Sequence, residues 1–212
     1  MEIEETPYYS IKLITIGNAY SGKTSITNVF CKKSYERIYE PTIGVEFNST
    51  TICDDNDDKY KLMFWDTAGQ ETFAPIIKSY YKNIAGIILV IDLSDIDGLR
   101  KIDYWLNEYK KNRIEACKSK IIVLGNKCDL DRKISKNDID YAMKIRHLNY
   151  CEVSAKTGLN VNKAVMGLFK SIIRDYDKNT HPGFGDLNKK FKLQEKREAA
   201  RSCNQSSCCI TS

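Results

Sequence analysis

The sequence predicts an α/β fold in which a mixed, mostly parallel sheet is flanked by helices. Short apolar runs typical of buried strands alternate with segments whose apolar residues recur every three or four positions, as on one helix face. The stretch 45–65 lacks that helical spacing and has two strand-like segments around five polar residues, 54–58, which is typical of an antiparallel hairpin. The composition, 42% hydrophobic and 29% charged with 11 Gly and 4 Pro in 212 residues, excludes collagen-like and wholly disordered chains.

Each predicted element rests on a local pattern. Strand-like apolar runs occupy residues 11–17, 61–65, 87–92, 120–125 and, more briefly, 150–153. Residues 25–31 are compatible with a helix, and two amphipathic helices are predicted from Leu99, Ile102, Leu106 and Tyr109 and from Val161, Val165, Leu168 and Ile172. Beyond residue 177 the apolar period is lost. We therefore predict an N-terminal extension at 1–9, one domain at 10–177 and a flexible basic tail at 178–212.

The charge of the chain is concentrated in that tail. Residues 178–212 carry seven Lys and Arg against three Asp and Glu, which is most of the net charge of +5. This distribution argues against a nucleic-acid partner and favours contact with an acidic membrane surface. The longest apolar stretch, 84–91, has eight residues, whereas a membrane-spanning helix needs roughly 20. An acidic N-terminus without signal-peptide features predicts residence in the cytosol, where the five scattered cysteines would be reduced.

A phosphate-binding loop is the first motif that carries chemistry. Residues 17–24, Gly-Asn-Ala-Tyr-Ser-Gly-Lys-Thr, match G-x-x-x-x-G-K-[ST] directly after the first predicted strand and before a predicted helix. Backbone N–H groups of such a loop surround phosphate oxygens, while Lys23 supplies a cation and Thr24 a hydroxyl for Mg²⁺.

Three further motifs follow predicted strands, at the sheet edge where ligands bind in such folds. Asp66 and Gly69 lie in Trp-Asp-Thr-Ala-Gly-Gln-Glu, 65–71, where the carboxylate can hold Mg²⁺ through water and the glycine N–H can meet a terminal phosphate. Asn-Lys-Cys-Asp occupies 126–129 and Ser-Ala-Lys occupies 154–156. A carboxylate accepts two hydrogen bonds at once, so Asp129 can receive the N1–H and 2-amino groups of guanine, which adenine does not offer together.

With these four segments in order, the chain resembles the Ras superfamily of small GTPases over residues 10–177 or so. Within it the chain looks most like the Rab family, because of Ile-Gly-Val-Glu-Phe at 43–47, Lys-Leu-Met-Phe-Trp-Asp-Thr-Ala-Gly-Gln-Glu at 61–71, Tyr-Tyr at 80–81 and Leu-Val-Ile-Asp-Leu-Ser at 89–94. The resemblance implies a P-loop NTPase G domain with a six-stranded sheet. It also implies a monomeric G domain that binds GTP or GDP with Mg²⁺, hydrolyses GTP slowly and recruits effectors to intracellular membranes in vesicle trafficking.

The resemblance further implies roles for the matching residues. Thr24 and Thr42 would bind Mg²⁺, with Asp66 supporting it through water, and Gln70 would orient the attacking water. The phosphates would be bound by Asn18, Ala19, Tyr20, Ser21, Gly22, Lys23, Thr24, Ser25, Thr42 and Gly69. Guanine would be bound by Tyr35, Asn126, Lys127, Asp129, Ser154, Ala155 and Lys156. Effectors would be bound by Ile43, Gly44, Val45, Phe47, Trp65 and Tyr80.

The end of the chain is typical of a lipid-anchored protein. Two adjacent cysteines, Cys208 and Cys209, precede the last three residues, and the resemblance implies prenyl groups on them. Residues 209–212 also satisfy the C-a-a-X pattern with a final serine, so the modifying enzyme is left open. The implied partners are an exchange factor, a GTPase-activating protein, a GDP-dissociation inhibitor, the prenylation machinery and effectors. The implied location is the cytoplasmic face of intracellular membranes, cycling with the cytosol.

Three alternatives stay open at this point. A metabolic P-loop phosphotransferase would need a substrate lid and an acceptor base that the sequence does not display. A nucleotide-loaded binding module with impaired hydrolysis is suggested by Ala19, where the family usually has Gly or Ser, and opposed by Gln70. A Ras-like signalling GTPase with one farnesyl group is opposed by the Rab-like segments and by the paired cysteines.

Overall fold

A mixed sheet forms the centre of the protein. The structure is a computed structural model that describes residues 8–31, 42–69, 77–113, 119–176 and 184–186. Among these residues, six strands follow the order β2-β3-β1-β4-β5-β6 across the sheet: β1 Tyr8–Gly17, β2 Val45–Cys53, β3 Lys59–Thr67, β4 Gly86–Asp92, β5 Lys120–Asn126 and β6 Asn149–Glu152. β2 and β3 pair antiparallel, and the pairs β1–β3, β1–β4, β4–β5 and β5–β6 are parallel. The predicted α/β class, the hairpin and the six-stranded mixed sheet are therefore confirmed.

A seventh strand, β7 Phe184–Asp186, pairs antiparallel with Tyr9–Ile11 of β1. β4 joins β1 only from Leu13 onward, so β7 occupies the part of that strand edge that β4 leaves uncovered. The apolar pattern did not predict β7, because three residues are too few to show an alternation.

In the part of the chain that the structure describes, four helices cover the two faces of the sheet. They are α1 Lys23–Phe30, α2 Ile102–Asn112, α3 Lys136–Arg146 and α4 Val161–Asp175, and a short 3-10 helix spans Lys78–Tyr81. The predicted helices at 25–31, around Ile102 and from Val161 are present. Leu99, which the spacing assigned to the second of these, precedes the first turn of α2.

The core consists of two clusters, one on each face of the sheet. Ile11 and Leu13 of β1 pack in a cluster with α1 and α4 through residues such as Ile26 and Phe169. Ile14 and Ile16 lie in the other cluster, with Trp105 of α2 as a large member. The side chains of one strand thus serve both faces, as expected for a central strand covered by helices on both sides.

Two further observations concern cysteines and membrane spans. Cys31, Cys53, Cys128 and Cys151 are free thiols, as predicted for these four positions. Among the described residues, the longest and most apolar helices fall short of what a membrane crossing requires.

The predicted boundaries at 9 and 177 are not tested by the architecture and stay predictions.

The parallel pairing decides where the motifs meet. Since β1, β3, β4, β5 and β6 run in one direction, their carboxyl ends lie on one edge of the sheet. The segments that follow Gly17, Thr67, Asp92, Asn126 and Glu152 are therefore collected there.

Candidate nucleotide-binding site

The phosphate loop runs from the end of β1 into the first turn of α1. Gly22 stands before α1 with φ 91°, a left-handed conformation that glycine adopts without steric cost. The Lys23 ammonium turns back over the loop and donates to the carbonyl oxygens of Gly17 (3.1 Å) and Asn18 (2.9 Å). Burial lowers the pKa of Lys23 to about 8, which Asp66 partly offsets. The loop thus holds a buried cation among backbone groups, an arrangement suited to phosphate oxygens.

Three oxygen-bearing side chains predicted to serve Mg²⁺ are close together. The Thr24 hydroxyl donates to Oδ2 of Asp66 and lies 2.9 Å from the Thr42 hydroxyl. Asp66 is fully buried, and within the described residues its Oδ1 has no hydrogen-bond partner. Burial raises the pKa of Asp66 to about 6, against the lowering effects of the Thr24 hydrogen bond and the Lys23 charge. A desolvated carboxylate with an unpaired oxygen beside two hydroxyls fits a magnesium ion, which prefers oxygen ligands.

Gly69 lies directly against the phosphate loop. A Cβ atom at Gly69 would be 2.3 Å from the backbone nitrogen of Ala19 and 2.5 Å from Nζ of Lys23. Only glycine lets the segment after β3 approach so closely. The backbone of Gly69 is consequently within reach of whatever the loop binds.

Asn126 joins the phosphate loop to the segment after β6. It is 2% exposed, its Nδ2 donates to the carbonyl of Ser21 at 2.8 Å, and its Oδ1 accepts from the Ala155 amide at 3.0 Å. A Cβ atom at Gly22 would be 2.2 Å from that same Nδ2. One buried side chain therefore fixes the relative position of two loops that the sequence separates by more than a hundred residues.

Asp129 and Lys127 lie near the surface beside Asn126. The Ser154 hydroxyl donates to Oδ1 of Asp129 at 2.6 Å, which orients an otherwise exposed carboxylate. Lys127 has φ 63°, and its ammonium pairs with Oδ2 of Asp92 at 2.6 Å. Lys156 is exposed. The structure thus joins Asn126 to Ala155 and Asp129 to Ser154 by hydrogen bonds, whereas Tyr35 lies outside the described residues.

The residues predicted to bind effectors lie just before β2 and on β2, β3 and the 3-10 helix. Phe47 and Trp65 are partners across the two strands, with ring centroids 5.1 Å apart in an edge-to-face arrangement. Phe47 is 52% exposed and Ile43 is 84% exposed, so these two side chains are not core residues. Tyr80, like Val45 and Trp65, packs partly buried against the cluster on the α2 side.

Other predicted residues are accounted for as follows. Asn18, Ala19, Tyr20, Ser21 and Ser25 all lie in the loop or the first turn of α1. Gln70, Cys208 and Cys209 lie outside the described residues.

Two residues that the motifs did not indicate take part in the site. Asp92, at the end of β4, holds Lys127, and Trp105 of α2 donates from its indole to Asn18 Oδ1 at 3.1 Å. The position of Asp92 at the carboxyl end of a predicted strand could have indicated that it belongs to the site. The partner of Trp105 lies 87 residues away, so no local pattern could have shown it.

Comparison with known proteins agrees with this geometry. The sequence profile of the Ras family matches residues 12–174. Ras-related protein Rab-13 from Bos taurus is 35% identical over 183 residues, which cover 83% of this chain and 89% of that protein. Ras-related protein Rab-1 from Theileria parva is 35% identical over 206 residues, 94% and 92% of the two chains. Ras-related protein rab-39 from Caenorhabditis elegans is 34% identical over 161 residues, 74% and 70%.

The chain therefore belongs to the Ras family. Its relatives make it a Rab-like small GTPase of vesicle trafficking, an enzyme that hydrolyses GTP.

Proposed function

We propose that this GTPase is a GTP/GDP switch whose individual parts are the residues assembled at the carboxyl edge of the sheet. Lys23 and the backbone N–H groups of the loop bind the phosphates, and Asn126 with Asp129 selects guanine. The observation that carries the proposal is the double contact of Asn126, which ties the phosphate loop to the loop that contains Ala155. These two hydrogen bonds fix the position of the phosphate-binding loop relative to the base-binding loop.

Thr24, Thr42 and Asp66 are the residues that would hold Mg²⁺. When bound, Mg²⁺ supplies positive charge that neutralises the phosphate oxygens. The unpaired Oδ1 of buried Asp66 and the 2.9 Å spacing of the two hydroxyls support this assignment. Gln70, as implied by the family, positions the attacking water.

The switch itself follows from where Thr42 and Gly69 lie. Both belong to segments at the ends of the β2–β3 hairpin, and both are adjacent to the loop rather than part of it. A ligand that includes the γ-phosphate stabilises the position of both segments, and loss of that phosphate removes the stabilisation. The exposed surface around Ile43 and Phe47 is continuous with these segments, which is why we assign it to effectors.

Reversible membrane attachment completes the proposed cycle. Prenyl groups on Cys208 and Cys209 would anchor the chain to the cytoplasmic face of intracellular membranes, with the basic tail adding attraction to anionic lipid. Attachment of the prenyl groups to the cysteines requires the prenylation machinery, and return to the cytosol requires a GDP-dissociation inhibitor. An exchange factor and a GTPase-activating protein set the nucleotide state.

The experiment that tests base selection is the variant Asp129→Asn. Ser154 still donates to the amide oxygen of the variant, so the new NH₂ group faces the base. This donor opposes the amino group of guanine and matches the carbonyl that xanthine has at the same position. We expect GTP affinity to fall by about 10⁴-fold while xanthosine triphosphate binding rises, since mismatched polar groups in a binding site are strongly rejected. Competition against labelled GDP measures the loss of guanine binding, and competition against labelled xanthosine diphosphate measures the gain.

Asp131→Asn is the matched control, because it removes the same charge from an exposed carboxylate two positions further along the loop. It should retain the guanine preference. Equal affinity of the wild-type protein for ATP and GTP would contradict the assignment of Asp129.

A further inference from the structure

A partly buried hydrogen bond connects helix α2 to the phosphate loop. Trp105 is 2% exposed and belongs to the core cluster on the α2 side, and its ring packs edge-to-face on Tyr104 at 5.1 Å. Its indole N–H donates to the Asn18 side-chain oxygen at 3.1 Å. Since the ring is fixed by its packing, the position of this donor is fixed as well.

Asn18 is the residue on which the internal contacts of the loop converge. Its backbone carbonyl accepts from the Lys23 ammonium at 2.9 Å and from the Ser21 hydroxyl at 2.9 Å. A Cβ atom at Gly69 would lie 2.5 Å from its carbonyl carbon, so the segment after β3 rests on the same peptide. A hydrogen bond that fixes the Asn18 side chain therefore also restricts the Asn18 carbonyl, which accepts from the Lys23 ammonium.

A cavity of about 390 Å³ separates Asn18, Ala19 and Gly69 from the segment before α2, which lines it with Asp95, Asp97, Arg100 and Lys101. The Trp105–Asn18 hydrogen bond crosses from helix to loop next to this cavity. Without it, the loop would have fewer contacts to hold its shape when no phosphate is present.

We propose that Trp105 is a positioning residue for nucleotide binding, which keeps the phosphate loop in its binding conformation through Asn18. This inference rests on the proposed function and adds a residue from the core of α2 to the site. A loop that is already in the bound conformation loses less conformational entropy on binding, so removal of the contact reduces apparent affinity.

The first test measures release of fluorescently labelled GDP from the full-length protein. Trp105→Phe removes the donor and keeps an aromatic ring, and Asn18→Leu removes the acceptor at similar volume. Each variant should release labelled GDP about tenfold faster than wild type, because the Asn18 side chain loses the hydrogen bond that fixes it, and in Asn18→Leu the buried Trp105 N–H is also left without an acceptor. The double variant should be no faster than either single variant, since both remove one interaction.

Tyr109→Phe is the matched control on the same helix. It removes the Tyr109 hydroxyl, which is hydrogen-bonded to Ser119 Oγ at 3.0 Å. Neither Tyr109 nor Ser119 belongs to the phosphate loop. This variant should keep the wild-type release rate even where thermal stability falls. A purely structural role for Trp105 predicts that both variants act alike.

The second test is spectroscopic and leaves Trp105 itself in place. The chain has two tryptophans, so Trp65→Phe leaves Trp105 as the reporter. Its emission should change when bound GDP is removed, and Asn18→Leu in that background should abolish most of the change. Unchanged emission, additive effects in the double variant, or equal release rates for Trp105→Phe and Tyr109→Phe would each overturn the inference while labelled GDP still binds. Failure of the wild-type protein to bind labelled GDP would overturn the proposed function and this inference with it.

Discussion

At the scale of single residues, the phosphate loop has two side chains that affect its energetics in different ways. Tyr20 adopts φ 63° with its ring 62% exposed, a left-handed conformation that costs an L-residue about 1–2 kcal/mol. Ala19 adds a methyl group next to Gly69, whose approach leaves no room even for a Cβ of its own. Loop strain and crowding thus occur at neighbouring positions.

Ala19→Gly is predicted to hydrolyse bound GTP faster with little change in GTP affinity. The methyl stands beside the cavity that Ala19 and Gly69 line, where reacting groups need space, whereas affinity rests on backbone N–H groups and Lys23. A displacement of about 1 Å costs on the order of 100-fold in such reactions, so relief of crowding can be large. Single-turnover hydrolysis measures the rate, and Gln70→Leu, expected to be slower than wild type, is the opposite control. Equal rates for wild type and Ala19→Gly, with and without an activating protein, would remove the steric argument.

The residue-level predictions differed in success for a physical reason. Lys23, Asp66 and Asn126 were predictable because their chemistry requires a fixed spacing after a strand. Trp105 was not, since its indole reaches Asn18 only through the packing of α2 on the sheet. The same sequence spacing would fit an ordinary core tryptophan.

At the scale of elements, helices α2 and α3 are joined by a two-armed ion pair. Nε and Nη2 of Arg146 donate to the two carboxylate oxygens of Asp103 at 2.8 and 2.6 Å. The hydrogen bonds from Arg146 hold the pKa of Asp103 below its ordinary value. The two-point geometry makes this pair more specific than a single surface contact.

Asp103→Asn is predicted to lower Tm at neutral pH by about 1–3 °C, the range for a well-formed but partly exposed pair. Because the folded-state pKa is depressed, the stabilisation is present above the unfolded carboxyl pKa and is lost as pH falls through the folded-state value. The difference in Tm between wild type and variant should therefore shrink below about pH 4. Asp140→Asn, which changes an exposed carboxylate on α3, is the control. A difference that stays constant from pH 7 to pH 3 would contradict the role of the Asp103 charge.

β7 is the second element with a measurable role. Phe184 packs partly buried against the cluster formed with α1 and α4, and its strand pairs with the start of β1. Phe184→Ala should lower the free energy of unfolding by about 1–2 kcal/mol, less than the 3–5 kcal/mol of a fully buried phenylalanine. Hydrogen exchange at Tyr9–Ile11 should accelerate at the same time. Tyr141→Ala, at a side chain 68% exposed on α3, should change neither quantity. Unchanged exchange in Phe184→Ala would show that β7 does not protect this edge in solution.

At the scale of the whole molecule, nucleotide binding and membrane attachment use different parts of the chain. The described site residues lie in the domain, whereas the cysteines proposed for lipidation belong to the last residues of the sequence. The two activities should accordingly be separable by mutation.

Changing both Cys208 and Cys209 to Ser is predicted to leave the protein in the soluble fraction with GTP binding intact. Two lipid chains anchor stably, whereas a single chain binds membranes only marginally. Cell fractionation and labelled-GDP binding measure the two properties. Cys203→Ser, five residues earlier, is the control and should remain on membranes. Mass spectrometry that finds an unmodified C-terminus on membrane-bound wild type would rule out this anchor.

The architecture was more predictable than its outer edges. The alternation of buried runs with helical spacing is repeated along the chain. A misplaced element boundary, such as that at Leu99, therefore did not alter the predicted sheet. β7 depends on three residues meeting the one stretch of β1 that β4 leaves open, and such a fit is a property of the folded surface.

The pairing of β7 with β1 also determines where labels and fusion partners can be placed. Tyr9 faces Asp186 across the two strands, so the described domain begins and ends at one location. β1 then runs ten residues from that location to the phosphate loop, about 30 Å at the usual rise of a strand. A fluorescent protein fused ahead of residue 8 would therefore be attached beside the exit of the lipid-bearing tail. It would lie far from the nucleotide, and energy transfer from such a fusion to a dye-labelled bilayer would report docking without obstructing the effector surface.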